Sequence, residues 1–136
     1  MLDAALQAHP ALADGLTVAP WADATQVLCA HDVLLLPSRY EGVPLVMLEA
    51  MALGVPVVAS DLPGTRPYLS ADCLFPIGDM ARAFEILARL HRSEAAREVA
   101  SADNLRAFRA HASGAAFSAA VIQLTEQVHA AIGQAP

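Results

Sequence analysis

The sequence predicts an α/β fold, with a parallel sheet of about four strands, flanking helices and a helical C-terminus. Two observations predict it. Short apolar runs alternate with longer helical stretches, as in chains whose successive parallel strands are joined by helices. In addition, the 136 residues, of which 56% are hydrophobic, are enough for the core of one modest domain.

Proline and glycine mark most of the element boundaries. Pro37 ends one apolar run, Pro44 suits the first turn of a helix, and Gly54 suits a helix C-terminus. Pro56 precedes the next strand, and Asp79 is a candidate helix cap. The predicted strands are Leu16–Ala19, Val33–Leu36, Val57–Ala59 and Leu74–Ile77. The predicted helices are Asp3–Ala13, Ala22–Ala30 with Val27 and Leu28 inward, about Pro44–Leu53, Met80–His91, Ser93–His111 and Ser113–Ile132.

Composition argues against several classes of partner. The net charge is −6 and no cluster of Lys and Arg stands out, so nucleic acid and anionic membrane surfaces are not expected partners. No apolar run reaches the ~18 residues that span a bilayer. The N-terminus MLDAALQAHP lacks the basic and apolar regions of a signal peptide, which predicts a cytoplasmic protein. The five histidines show no metal-ligand spacing, and we expect neither a metal nor a cofactor.

The most informative segment runs from Leu34 to Ser60, LLLPSRYEGVPLVMLEAMALGVPVVAS. It predicts strand, loop, helix and strand, with seven residues between Glu41 and Glu49. The helix is apolar on every side, which is typical of a buried helix. A carboxylate on such a helix needs hydrogen-bonding partners, so we expect Glu49 to contact either the protein or a ligand.

This segment resembles the donor-binding motif of the retaining family 4 glycosyltransferases, which have the two-domain B-type fold. Their signature, E-x7-E in a PS-x-x-EG-x-x-L-x-x-LEAMA-x-G-x-PVVAS context, is matched here at nearly every position. The segments LTVAPW and DCLFPIGDMARAFEILARL are also similar to the family, so the resemblance covers most of the chain. It implies that residues 1–136 form part of a C-terminal, donor-binding domain.

The resemblance implies that Glu41 binds the hydroxyls of the donor sugar and Glu49 those of the ribose, in a UDP-, GDP- or ADP-sugar. A carboxylate can accept two such hydrogen bonds at once. Taken alone, Glu41 could instead be an acid favoured near a helix start, and Glu49 could pair with a buried arginine.

Backbone groups complete the implied site. Gly42 and Val43 would adjoin the sugar, and the N–H groups of Leu45 and Val46 would face the diphosphate at the positive end of the helix dipole. Many family members carry glycine where this chain has Pro44, which has no N–H to offer.

Two departures from the family stand out. Pro67 occupies a position where many members carry glutamate. The acceptor domain, the first two donor-domain strands and a basic Arg…Lys pair have no counterpart here, which leaves Arg39 and Arg66 as candidate cations near the site. In the Rossmann order 3-2-1-4-5-6 the missing strands are central, so we expect an incomplete Rossmann-like parallel sheet. The first predicted strand therefore either pairs directly with Val33–Leu36 or leaves a gap for another chain.

These features favour a glycosyltransferase that transfers sugar with retention only together with the missing parts. A non-catalytic binding or interaction module, or a truncated remnant, is the alternative. A flavodoxin-like domain would explain the alternation of strands and helices, but not the E-x7-E motif.

The last helix carries an apolar stripe. We expect part of it to be exposed and to promote self-association or binding of a partner chain. The stripe consists of Phe117, Val121, Leu124, Val128 and Ile132.

Overall fold

A computed structural model describes residues 15–133, with side chains as far as residue 127. The predicted helix Asp3–Ala13 lies outside the described residues. In chain order the elements are α1 (Ala24–Cys29), β1 (Leu34–Leu36), α2 (Leu45–Ala52), β2 (Val57–Ser60), β3 (Leu74–Phe75), α3 (Met80–Arg92), α4 (Glu94–His111) and α5 (Gly114–Gly133). A short 3₁₀ turn, Ala71–Cys73, precedes β3.

The sheet is parallel, which confirms the predicted fold class. Its order is β1-β2-β3, with Leu35 opposite Val58 and Ala59 opposite Leu74. The strands are neighbours in chain order, as in the second half of the 3-2-1-4-5-6 arrangement.

The predicted strand Leu16–Ala19 is wrong, because that segment is irregular and exposed. It does not pair with β1, whose hydrogen-bonded partner among the described residues is β2. An apolar run becomes a strand only where a neighbouring strand accepts its backbone hydrogen bonds and covers its side chains. The last strand is also shorter than predicted, since β3 ends at Phe75 and Pro76 cannot donate to the ladder.

Helix boundaries follow the predicted signals closely. The Asp79 carboxylate accepts a hydrogen bond of 2.9 Å from the Arg82 N–H and caps α3. Gly54 follows α2 with a φ of +72°, the left-handed conformation that favours glycine after a helix end. One expectation for α1 is wrong: Leu28 is buried as predicted, but Val27 is 41% exposed.

The core has two parts, one on each face of the sheet, because successive β2 side chains point to opposite faces. One part lies between the sheet and helices α1, α2 and α4, and the other between the sheet, α3 and α4. The first contains Leu28, Met47, Ala50, Met51, Val55, Val57, Ala59 and Leu69. The second contains Val58, Cys73, Phe75, Ala83, Ile86, Leu90 and Ala100.

Helix α5 packs against α4 near the end of the chain. From Phe117 to Gln127 every side chain is exposed, including the apolar ones. The expected exposure of the C-terminal stripe is therefore confirmed for Phe117, Val121 and Leu124, whereas Val128 and Ile132 lie beyond the described side chains. Within residues 15–133, no helix has both the length and the apolar character that crossing a membrane requires.

Candidate functional site

The predicted site residues lie at the carboxyl edge of the sheet. All three strands are parallel, so the loops that follow β1, β2 and β3 emerge on the same side. Ligands of open α/β sheets bind at this edge. The loop after β1 carries Ser38 and Glu41, and the loop after β2 carries Gly64, Thr65 and Arg66.

Glu41 is half-buried and held by a neighbour in its own loop. The Ser38 hydroxyl donates a hydrogen bond of 2.9 Å to the Glu41 carboxylate. This is the carboxylate's one side-chain partner among the described residues, so most of its acceptor capacity is free. Sequence reasoning missed Ser38, although the serine stands within the quoted PS-x-x-EG pattern.

The start of α2 presents free donors beside Glu41. Pro44 is buried and caps the helix, and its carbonyl accepts hydrogen bonds from Met47 and Leu48 at 3.1 and 3.3 Å. Within the described part of the chain, the N–H groups of Leu45 and Val46 have no hydrogen-bond acceptor. Unpaired N–H groups at a helix N-terminus favour an anion.

Glu49 is exposed, although the apolar helix predicts a buried position for it. Helix α2 buries one face through Met47, Ala50 and Met51, while Glu49 lies on the opposite face and is exposed. The premise that Glu49 must satisfy a buried charge is therefore wrong, because water solvates it. The exposed stripe of α2 consists of Leu45, Glu49, Ala52 and Leu53.

The described residues also offer no support for pairing either glutamate with a buried arginine. Their ion pairs are Arg66–Asp61, Arg82–Glu85 and Arg106–Asp103. Both glutamates therefore remain available to a ligand.

The turn after β2, residues 61–66, lies in close contact with the Glu41 loop. A Cβ atom added to Gly64 would coincide with the Gly42 carbonyl oxygen and lie 3.3 Å from the Glu41 carbonyl oxygen. A glycine in a turn permits close backbone approach, and here the backbone that Gly64 approaches is the protein's own. The φ of Gly64 is not positive, so the need for glycine here is spatial.

Arg66 lines a neighbouring cavity of about 330 Å³, together with Asp61 and Phe75. Its Nε is 2.8 Å from the Asp61 carboxylate. The hydrogen bond from Arg66 lowers the pKa of Asp61, and the same contact raises the pKa of Arg66. Of the two candidate cations, Arg66 is therefore already paired, and Arg39 is exposed in the Glu41 loop.

Comparison with known proteins identifies the same segment. The family described as "Glycosyl transferases group 1" matches residues 2–93, a range that includes both loops and α2. Amylovoran biosynthesis glycosyltransferase AmsK of Erwinia amylovora is 35% identical over 85 residues, which cover 56% of this chain and 21% of that protein.

Two further proteins extend the comparison. UDP-Gal:alpha-D-GlcNAc-diphosphoundecaprenol alpha-1,3-galactosyltransferase of Escherichia coli is 45% identical over 44 residues, 32% of this chain and 11% of that protein. Among solved structures, sucrose-phosphate synthase from Thermosynechococcus elongatus superposes with a TM-score of 0.82 and 26% identity. That match covers 96% of this chain and 34% of the synthase, so the chain spans about a third of its structural relative.

Proposed function

Because the chain belongs to the group 1 glycosyl transferases, we propose that it forms the donor-binding part of a retaining glycosyltransferase. It binds a nucleotide-sugar and takes part in transfer once other polypeptide provides the acceptor site. Glu41, with the backbone of Gly42 and Val43, contacts the donor sugar. The N–H groups at the start of α2 contact the diphosphate, and Glu49 contacts the ribose.

One observation carries this proposal: the order of the groups along α2 follows the order of the groups in the ligand. Glu41 precedes the helix, the free N–H groups of Leu45 and Val46 begin it, and Glu49 is exposed one turn further on. Four residues of helix advance about 6 Å. A nucleotide-sugar has the same sequence of sugar, diphosphate and ribose.

The charge distribution suits this ligand. Each hydroxyl cluster meets a carboxylate, which makes stronger hydrogen bonds than a neutral acceptor. The diphosphate meets N–H donors and the positive end of a helix dipole, both of which favour an anion. Arg39, exposed in the same loop, is free to approach the phosphates.

Calorimetric titration of the purified protein with UDP-, GDP- and ADP-sugars tests the proposal. UDP-galactose is the first donor to try, because the Escherichia coli relative is named for a UDP-Gal transfer. We expect saturable binding of one donor class. No binding of any donor at millimolar concentration would contradict the proposal and favour the remnant or interaction module.

Transfer itself requires more than donor binding. Holding donor and acceptor together in one cleft supplies a large part of the rate of such reactions. We therefore expect no transfer by this chain alone, and transfer when a polypeptide with the acceptor domain and the basic pair is added. Robust turnover by the chain alone would overturn this division of roles.

We also propose that the protein is cytoplasmic, and fractionation of cells tests this location.

A second candidate function, an interaction module, is favoured by α5. Its exposed apolar residues include Phe117, Val121 and Leu124, and such surfaces mark association sites. We propose that α5 binds a partner chain or a second copy of this protein. This role is compatible with donor binding, because the main described contact of α5 is with α4 near the end of the chain.

A further inference from the structure

We propose that Gly64 and Thr65 are positioning residues for Glu41, and that they act by holding the loop after β1 at a fixed distance from the sheet. This inference rests on the proposed function, since it concerns the group assigned to the donor sugar. The turn at residues 61–66 contacts the Glu41 loop and limits how closely that loop can approach the sheet.

The contact is between two backbones. A Cβ at position 64 would overlap the carbonyl group of Gly42, and the Glu41 carbonyl oxygen would lie beside it. A side chain at position 64 would have to displace one of the two segments. Backbone atoms cannot rotate away as the end of a flexible side chain can, so one loop must move as a unit.

The turn is the more rigid of the two segments. Thr65 is 1% exposed, and its hydroxyl donates to the Ser60 carbonyl at 2.7 Å and accepts from the Leu62 N–H at 3.0 Å. In addition, the backbone N–H groups of Thr65 and Arg66 donate hydrogen bonds of 3.1 and 2.9 Å to the Leu62 carbonyl. These bonds tie the turn to the end of β2, a strand that is buried throughout.

The Glu41 loop is held by fewer contacts and is therefore the more easily displaced segment. Gly42 and Val43 are exposed, and the described side-chain contact of Glu41 is a single hydrogen bond within its own loop. Enlarging residue 64 should therefore move Glu41 and leave the turn in place. Since the loop joins α2 at the buried Pro44, the displacement should fade before it reaches Glu49.

The test is Gly64→Ala, with Gly114→Ala as the matched control, because a Cβ at Gly114 meets nothing within 4 Å. Binding of the nucleotide-sugar and of the matching nucleoside diphosphate should be measured side by side. We expect Gly64→Ala to weaken the nucleotide-sugar by about tenfold or more, the size of a lost hydrogen bond to a charged group. The diphosphate alone, which does not reach Glu41, should change by less than about twofold. Equal losses for both ligands would overturn the proposal.

A double-mutant cycle identifies Glu41 as the group through which Gly64 acts. If so, Gly64→Ala should have little further effect on nucleotide-sugar binding in a Glu41→Gln background. Additive losses would contradict the assignment.

Backbone amide chemical shifts give a readout that needs no ligand. Gly64→Ala should shift the amide resonances of residues 38–43, and Gly114→Ala should not. Thr65→Val, which removes the anchoring hydroxyl, should shift the same resonances, whereas Thr65→Ser should leave them close to their original positions. If the unmodified protein binds no nucleotide-sugar, the proposed function fails, yet these shifts still decide the positioning role. Unchanged amide shifts at residues 38–43 in both Gly64→Ala and Thr65→Val would overturn it.

Discussion

Helices α2 and α5 are similar in composition, but one is largely buried and the other largely exposed. Each is mostly apolar, has no Lys or Arg, and contains one acidic residue, Glu49 in α2 and Glu126 in α5. Helix α2 packs a full face on the sheet and on α4, whereas α5 exposes every side chain from Phe117 to Gln127. The apolar character of a helix therefore predicts that it needs a partner surface, but the rest of the chain decides whether that surface is within the same domain.

The comparison predicts its largest effect on stability. Met51 in α2 is fully buried and Phe117 in α5 is 70% exposed. Met51→Ala should lower the free energy of unfolding by about 2–5 kcal/mol, because it removes packed atoms and leaves a cavity. Phe117→Ala should change it by less than about 0.5 kcal/mol. Urea denaturation followed by circular dichroism measures both, and similar losses for the two variants would contradict the contrast.

The acidic residues of the two helices provide the next test. Glu49→Gln should weaken donor binding by about 1–3 kcal/mol, since a charged acceptor of ribose hydroxyls becomes a neutral amide. Because Glu49 is exposed, stability should hardly change. Glu126→Gln makes the same substitution on α5 and should leave donor binding unaltered. Calorimetry on both variants checks the assignment, and an unchanged affinity for Glu49→Gln would refute the ribose contact.

Measuring self-association tests whether a second copy of the protein buries the exposed apolar residues of α5. A helix of this length extends for about 30 Å, enough to form a substantial helix–helix contact. Replacing both Phe117 and Leu124 with glutamine should raise the dissociation constant of the assembly by about tenfold or more. Ala119→Gln, on the opposite face of α5, is the control. Sedimentation velocity over a range of concentrations measures the effect, and a clean monomer at the highest concentration would exclude self-association.

The same contrast explains what the sequence could predict. The positions of α2, β2 and α3 follow from local signals, namely Pro44, Gly54, Pro56 and Asp79, which act through their own backbone geometry or cap. The segment Leu16–Ala19 is mostly apolar, as β1 is, but a strand also depends on a neighbouring strand, which the segment's own residues do not specify.

The candidate site divides in the same way. The two glutamates and the N-terminus of α2 were predictable because their spacing lies within one continuous segment. The exposure of Glu49 and the contact of Gly64 with Gly42 were not, because each depends on how segments distant in sequence pack together. A glycine in a loop indicates freedom or close approach, but only the fold shows what approaches it.

The smallest expected effect concerns the ion pair between Arg66 and Asp61, beside the Glu41 loop. It tests whether a surface ion pair contributes as much to the free energy of unfolding as a buried side chain does. Arg66 lowers the pKa of Asp61, so the pair stabilises the fold above the ordinary Asp pKa of about 3.9 and loses this contribution as the pH falls through the lowered value. Both side chains are well exposed, at 63% for Arg66 and 38% for Asp61, and water and salt screen the pair. Asp61→Asn should therefore barely shift the urea midpoint at pH 7, and its small difference from the unmodified protein should vanish once the pH falls below the lowered pKa of Asp61. A loss at pH 7 comparable to that of Met51→Ala would show that charge pairing at the carboxyl edge, and not burial alone, stabilises this part of the fold.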